Sequence, residues 1–166
     1  MLDNDLVEGF LTQAEGLYGR RLPGVTFEVQ ETRPGGQLHS EFNPKTNHVI
    51  IRIPADRQGI DRRGALAQES IHVLSPAEPK DAKVFDIGLA TLFAMQVCDY
   101  HPAADYGIYP DACAAVKRLH DLCPDAIRSL RHSQPQVAFI GEDDVLRACS
   151  GLPQETTHFL VQPVYR

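Results

Sequence analysis

The sequence predicts a single α+β domain over residues 1–166, with a small, mostly antiparallel sheet, two buried helices and a helical C-terminal portion. A length of 166 residues is typical of one domain with one core. Apolar and polar residues alternate in short segments before Pro54, as in strands. Elsewhere apolar residues recur at spacings of three and four or run almost continuously, as in helices. We expect residues 1–100 to form the core and residues 101–166 the helical portion.

The composition narrows the classes of function. The chain carries 16 Lys and Arg against 22 Asp and Glu, a net charge of -6, with 43% hydrophobic residues. These values are ordinary for a globular protein, and the acidic balance argues against binding to nucleic acid. The longest apolar stretch, Gly88 to Cys98, is too short to cross a membrane, and the acidic N-terminus is unlike a signal peptide.

The cysteines bear on the cellular compartment. There are four, at positions 98, 113, 123 and 149, and no two of them form a C-x-x-C pair. We therefore expect four reduced thiols in a cytoplasmic protein. Buried thiols of this kind behave as small apolar side chains.

The first part of the chain is predicted to form a helix, a strand and a hairpin. Leu6, Phe10, Leu11, Ala14 and Leu17 recur at helical spacing before the Pro23-Gly24 pair. Alternating segments then flank a loop rich in turn residues, Asn43 to Asn47, and Pro54 ends the last of them. The predicted elements are a helix over 3–18, a strand over 25–29 and hairpin arms over 37–42 and 48–53.

Two later helices, over 61–74 and 82–97, are predicted to be buried because they are apolar on nearly every side. Polar residues interrupt each of them: Gln68, Glu69 and His72 in the first, and Asp86, Thr91 and Gln96 in the second. Further helices are predicted over 110–122, 124–132 and 141–148. The last segment, 151–166, contains Phe159-Leu-Val161 and is predicted to be a strand or an extended tail.

The first buried helix carries the pattern Gln68-Glu69-Ser70-Ile71-His72. Positions 68 and 72 lie one turn apart on the same face, with position 69 adjacent. This is the geometry of the H-E-x-x-H motif, in which two His side chains hold Zn²⁺ and the Glu takes a proton from the metal-bound water. Here the base and the second ligand are present, and Gln replaces the first ligand.

Over residues 25–97 the sequence resembles the zincin metallopeptidases of the gluzincin type. The resemblance lies in the order of the elements: helix, strand, hairpin, Q-E-x-x-H helix, Ser-Pro loop and a helix that reads Phe85-Asp-Ile-Gly-Leu-Ala90. In that family a second helix, often reading E-G-x-A, supplies a Glu as third zinc ligand. The resemblance implies a zincin-like fold, with Glu69 as the general base and His72 as a zinc ligand. It places the two remaining ligands at Gln68 and Ile87, which are therefore vestigial positions. Asp86 is adjacent to Ile87 and is the candidate substitute.

Two possible functions follow from these differences between the sequence and the zincin motifs. In the first, the protein is a zincin-like pseudoenzyme that needs no cofactor and binds an unidentified protein or peptide. In the second, it is a metal-dependent hydrolase of the peptidase class, with zinc on His72 and Asp86 and with Glu69 as base or ligand. Catalytic zinc normally has three protein ligands, and an amide such as Gln68 is a weak one, which favours the first function.

A structural role for the same residues is the remaining alternative. Because a buried carboxylate needs partners, Gln68, Glu69, His72 and Asp86 are expected to hydrogen-bond one another. Weaker candidate groups are a Cys98 and His101 pair, a facing pair of His39 and His48 in the hairpin, and the aromatic cluster Tyr100, His101, Tyr106 and Tyr109.

Overall fold

The computed structural model describes residues 3–100 and 107–164, and the fold class is α+β as predicted. Within these ranges seven α-helices accompany one three-stranded sheet. The elements are α1 (Asp3–Tyr18), β1 (Thr26–Thr32), β2 (His39–Asn43), β3 (His48–Pro54), α2 (Gly59–Leu74), α3 (Val84–Cys98), α4 (Tyr109–Leu122), α5 (Ala126–Ser133), α6 (Glu142–Ala148) and α7 (Gln154–Leu160).

The sheet is mixed, so the prediction of a mostly antiparallel sheet is wrong. The strand order is β1-β3-β2. The predicted hairpin forms, with β2 antiparallel to β3 and Asn43 opposite His48. β1 pairs with β3 instead of β2, and it runs parallel to β3 with Thr26 opposite His48. The hairpin therefore places β2 at an edge of the sheet, on the far side from β1.

The helices cover one face of this sheet. Val49, Ile51 and Ile53 of β3 are buried, whereas the residues between them are partly exposed, so the strand has one face in the core. α2 contacts β2 and β3 and packs between α1 and α3, and α3 in turn packs against α4. This position explains why α2 is apolar almost all round, since it has neighbours on nearly every side.

The close approach of α3 and α4 depends on Gly88. A Cβ atom at position 88 would lie 2.3 Å from the carbonyl oxygen of Ala112 and 2.6 Å from Cγ2 of Val116. Such distances are far below van der Waals contact, so any side chain here would push the two helices apart. Gly88 therefore sets the position of the first turns of α3.

A buried arginine joins the two predicted parts of the chain. Arg131 of α5 is 4% exposed, and burial lowers the pKa of its guanidinium to about 10. It donates hydrogen bonds of 2.7–3.3 Å to the backbone carbonyls of Tyr18, Gly19, Arg20, Leu74 and Pro135. These carbonyls lie at the ends of α1 and α2 and after α5, where a helix leaves acceptors without partners. One guanidinium therefore satisfies acceptors from three parts of the chain.

The C-terminal segment differs from its prediction. Residues 154–160 form the helix α7 where a strand or extended tail was expected, because Thr156, Thr157 and Leu160 are buried against the rest of the protein. The chain then turns, and Pro163 forms an isolated antiparallel bridge with Lys83 at the start of α3. The end of the described chain therefore lies beside the first turn of α3.

The prediction of four reduced thiols is wrong for two of the cysteines. Cys123 and Cys149 form a disulfide with their Cα atoms 5.9 Å apart, while Cys98 and Cys113 are free. The two partners are 26 residues apart, one after α4 and one after α6, and both helices contact α5, which no local motif signals. The cytoplasmic location, which was inferred from reduced cysteines, stays a prediction.

Over residues 3–100 and 107–164, every helix is either too short or too polar to cross a lipid bilayer.

Candidate functional site

The Q-E-x-x-H segment of α2 faces a cavity of about 400 Å³ between α2 and the edge strand β2. We call it the α2–β2 cleft. It is bounded by residues 37–42 on one side, by Glu69 and His72 of α2 on the other, and by Asp86, Ile87 and Tyr109 at one end. A smaller cavity of about 60 Å³ shares Leu38, Glu69, His72, Ile87 and Tyr109 with the cleft and adds Gln68, Arg57 and Tyr100. The structure thus brings all five residues of the predicted site to one place.

Gln68 is held by the neighbouring helix. Its side-chain amide donates a hydrogen bond of 3.4 Å to the hydroxyl of Thr91 in α3, and that hydroxyl donates one of 2.8 Å to the carbonyl of Ile87. Gln68 and Thr91 are both buried. One polar residue of each buried helix is therefore satisfied across the interface between α2 and α3.

Glu69 is the unusual member of the site. It is 6% exposed, and its Oε2 atom is buried and has no hydrogen-bond partner among the described residues. A buried carboxylate without a partner costs free energy, because it loses its water without gaining a donor. Such atoms are rare in folded proteins, and one that lines a cavity is a candidate for contact with a bound molecule.

Asp86 is buried at the end of the cleft and caps α3. Its Oδ2 atom accepts a hydrogen bond of 2.8 Å from the backbone N–H of Lys83. Burial raises the pKa of Asp86 to about 6, although the Lys83 N–H and the nearby charges of His72 and Lys83 favour the ionised form. The Lys83 ammonium donates to the carbonyl of Ile140, and burial lowers its pKa. Asp86 therefore carries a charge that depends on pH near neutrality.

The prediction that these polar residues hydrogen-bond one another is wrong for Gln68 and Asp86, whose partners are Thr91 and the Lys83 backbone. It is also wrong for the Oε2 atom of Glu69. Asp86 and Ile87 both line the cleft, although they are about 100° apart around the helix, because the first turn of α3 forms the end of the cavity. The sequence therefore predicted which of these residues lie close together better than it predicted their hydrogen bonds.

The edge strand forms a whole wall of the cleft. Residues 39–42 of β2 line it consecutively, together with residues 37 and 38 before the strand, although side chains in a strand point alternately to opposite faces. A cavity meets successive residues of a strand when it runs along the strand's edge. Among the described residues, the outward edge of β2 has no backbone partner, since β2 pairs with β3 alone. The cleft is thus bordered by free backbone donors and acceptors.

The donor set does not suit a zinc ion. In the described ranges, no three side chains of His, Cys, Asp or Glu converge so that they could hold an ion. Gln68 is bonded to Thr91, Asp86 accepts from the backbone at the start of its own helix, and Ile87 has no donor atom. The described residues therefore do not fit the three-ligand zinc site of the zincin family.

Of the weaker candidates from the sequence, the histidine pair of the hairpin is not assembled. His39 lies opposite Arg52 and His48 opposite Asn43, so the two histidines are at different ends of the hairpin and do not face each other. Burial raises the pKa of the Cys98 thiol, which disfavours the nucleophilic thiolate. His101 and Tyr106 lie outside the described residues, whereas Tyr100 and Tyr109 both line the small cavity.

Two features of the site were missed by sequence reasoning. One is the wall formed by β2, which required knowing that this strand is at the edge. The other is Gly64, because a Cβ there would lie 2.2 Å from Cγ of Tyr100. Gly64 thereby allows the Tyr100 ring to lie directly on the backbone of α2.

Comparisons of the chain with models of protein families, with curated proteins and with solved structures found no match in any of the three.

Proposed function

We propose that the protein binds an extended peptide segment in the α2–β2 cleft, as a non-proteolytic protein with a zincin-like arrangement of motif helix and edge strand. The observation that carries the proposal is the consecutive lining of the cleft by residues 37–42, of which residues 39–42 belong to the edge strand β2. An edge strand can accept a further strand through its backbone N–H and C=O groups, and pockets beside it then select side chains.

The size and lining of the cleft support a peptide ligand. A cavity of about 400 Å³ lies within the range of sites that hold small molecules or a few side chains. Phe42, Val49 and Ile87 supply apolar surface, whereas Glu69 and His72 supply polar groups on the opposite wall. This mixture suits a chain whose backbone bonds to β2 and whose side chains point toward α2.

The identities of two residues favour binding over zinc-dependent hydrolysis. Gln68 and Ile87 stand where the resemblance to zincins requires a His and a Glu. The amide of Gln68 is engaged by Thr91, and the side chain of Ile87 is apolar. Without these ligands, His72 and Asp86 would hold Zn²⁺ weakly.

The test uses a peptide selected from a random display library on the immobilised full-length protein, and then synthesised. We expect the peptide backbone to hydrogen-bond to β2. Two versions of the peptide are N-methylated, each at a different set of alternate amides. One version should lose at least about 10-fold in affinity and the other should keep its affinity, because only alternate N–H groups face β2. Hydrogen exchange should slow at backbone amides of residues 38–43. Recovery of no peptide, or equal binding of both methylated versions, would refute strand addition at this edge.

A metal-dependent hydrolase remains a second candidate because of one observation. Glu69 lines the same cavity as His72, and its Oε2 atom has no partner among the described residues, as expected of a general base beside a metal ligand. This function predicts near-stoichiometric zinc in protein purified without an affinity tag, loss of that zinc in His72→Ala, and chelator-sensitive peptide hydrolysis that Glu69→Gln abolishes. Metal-free protein that takes up no zinc would exclude it and leave the binding function.

A further inference from the structure

We infer that the α2–β2 cleft selects a basic side chain, so that the peptide it binds carries a lysine or an arginine opposite Glu69. This inference rests on the proposed function, because it names the chemistry of the ligand in the same cleft. It is carried by Glu69, a buried residue that lines the cleft and whose Oε2 atom has no hydrogen-bond partner among the described residues.

The charges around the cleft point to a cation. Three carboxylates line it: Glu41, Glu69 and Asp86. Glu41 is about half exposed and already paired, since the Arg52 guanidinium donates to both of its oxygens and His39 lies 3.2 Å away. Glu69 and Asp86 are buried and form no ion pair with a lysine or arginine of the described chain. The cleft therefore holds two buried carboxylates that an incoming cation would neutralise.

The positive groups near the cleft do not replace that cation. Arg57 lines the smaller cavity together with Glu69, but the Oε2 atom accepts no hydrogen bond from it. Lys83 is close enough to favour the ionised form of Asp86, but its ammonium donates to the Ile140 carbonyl and the residue does not line the cleft. His39 lies beside Glu41 at the strand. His72 lies in the cleft and favours the charge on Asp86, yet makes no hydrogen bond to Glu69 within the described residues. A ligand that brings its own donor would therefore satisfy Glu69.

The shape of the site selects a long donor over a short one. Glu69 is on the wall formed by α2, and β2 forms the opposite wall, so a peptide paired with β2 must reach across the cavity. A lysine or arginine side chain does this with an apolar stem and a charged end. Its stem would contact Leu38 and Ile87, which line both cavities, and its charged end would donate to Oε2.

The experiment compares matched ligands by calorimetry at pH 7. The library-selected peptide is synthesised with lysine, arginine or norleucine at the basic position. A charge-assisted hydrogen bond to a buried carboxylate should make the lysine and arginine versions bind about 10 to 100-fold more tightly than the norleucine version. Glu69→Gln should remove this preference, and its circular dichroism spectrum should show that the variant is folded. Glu155→Gln, which removes a carboxylate charge at an exposed position of α7, should retain the preference for the basic peptides.

A second measurement needs no peptide. Chemical shifts of the cleft residues are followed during titration with n-butylammonium, and with 1-butanol as the uncharged match. Saturable shifts with the amine alone, absent in Glu69→Gln, would support a pocket that recognises the cation by itself. Equal binding of the lysine and norleucine peptides would overturn the inference and leave strand addition intact. Failure to recover any peptide, together with a response to the amine, would instead refute peptide binding and retain the cationic pocket.

Discussion

The replacement of Asp86 by asparagine gives the sharpest test of the electrostatics of the site. The asparagine side chain keeps an oxygen that accepts from the Lys83 N–H, so the cap of α3 survives while the titrating group is removed. Burial raises the pKa of Asp86 from 3.8 to about 6. Since one pKa unit is worth about 1.4 kcal/mol, this corresponds to about 3 kcal/mol of folding free energy.

The direction of this pH dependence follows from whether the folded or the unfolded state holds the proton. Below about pH 4 both the folded and the unfolded chain keep Asp86 protonated, and the buried neutral carboxyl carries no penalty. Between about pH 4 and pH 6 the unfolded chain releases the proton and the folded chain retains it, so the free energy of unfolding falls as the pH rises. Above about pH 6 both states are ionised and this contribution changes no further.

The assay is urea unfolding of the wild-type protein and Asp86→Asn from pH 4 to pH 7. The stability of the variant relative to wild type should rise by about 3 kcal/mol over this range. Taking the difference cancels other groups, such as Glu15 and Glu41, whose pKa values the fold lowers. Asp144→Asn is the control: Asp144 caps α6 through the Gly141 N–H, but its side chain is 34% exposed and loses less solvation. A flat difference for Asp86→Asn would refute this account of its burial.

Three further predictions concern packing and the motif. Arg131→Lys leaves too few donors for the five carbonyls, so it should lower the free energy of unfolding by about 2–4 kcal/mol and Tm by about 5–15 °C in a thermal melt. The same change at exposed Arg128 should lower the free energy of unfolding by under about 0.5 kcal/mol. Gly88→Ala should destabilise the protein by about 1–3 kcal/mol in urea unfolding. Gly9→Ala should be neutral or stabilising, because a Cβ atom at position 9 would have no neighbouring atom within 4 Å. Gln68→His with Ile87→Glu should bind zinc with a Kd of about 1 µM or below by competition titration, and Gln68→His alone should not. A folded double variant without zinc affinity would show that the alignment with the zincin motifs is wrong.

The sequence predicted those elements whose periodicity is local. The spacing of Leu6, Phe10, Leu11, Ala14 and Leu17 predicted α1 with the bounds it has, Asp3–Tyr18, and the turn residues predicted the hairpin of β2 and β3. The partner of β1 was not predictable in this way, because the alternation of a strand says which face is buried and not which neighbour it has. α7 was missed since Phe159-Leu-Val161 favours a strand locally, and burial of Thr156 and Thr157 outweighs that preference.

The proximity of the candidate residues was predicted through helix geometry, and their contacts with other elements were not. The spacing of Gln68, Glu69 and His72 was enough to place them together on α2. The bond from Gln68 to Thr91 and the orphaned oxygen of Glu69 depend on how α3 packs against α2, which the sequence pattern does not specify. The disulfide between Cys123 and Cys149 was also missed, because it depends on how the elements α4, α5 and α6 pack and not on a local motif.

The contacts of Arg131 have a consequence for how the chain folds as it is synthesised. The carbonyls that it satisfies at Tyr18 and Leu74 are made long before residue 131 leaves the ribosome. Until then the ends of α1 and α2 must keep water on these oxygens, and burying them early would cost free energy. The N-terminal helices therefore reach their final packing only when α5 arrives, so a late residue completes the earliest elements of the protein.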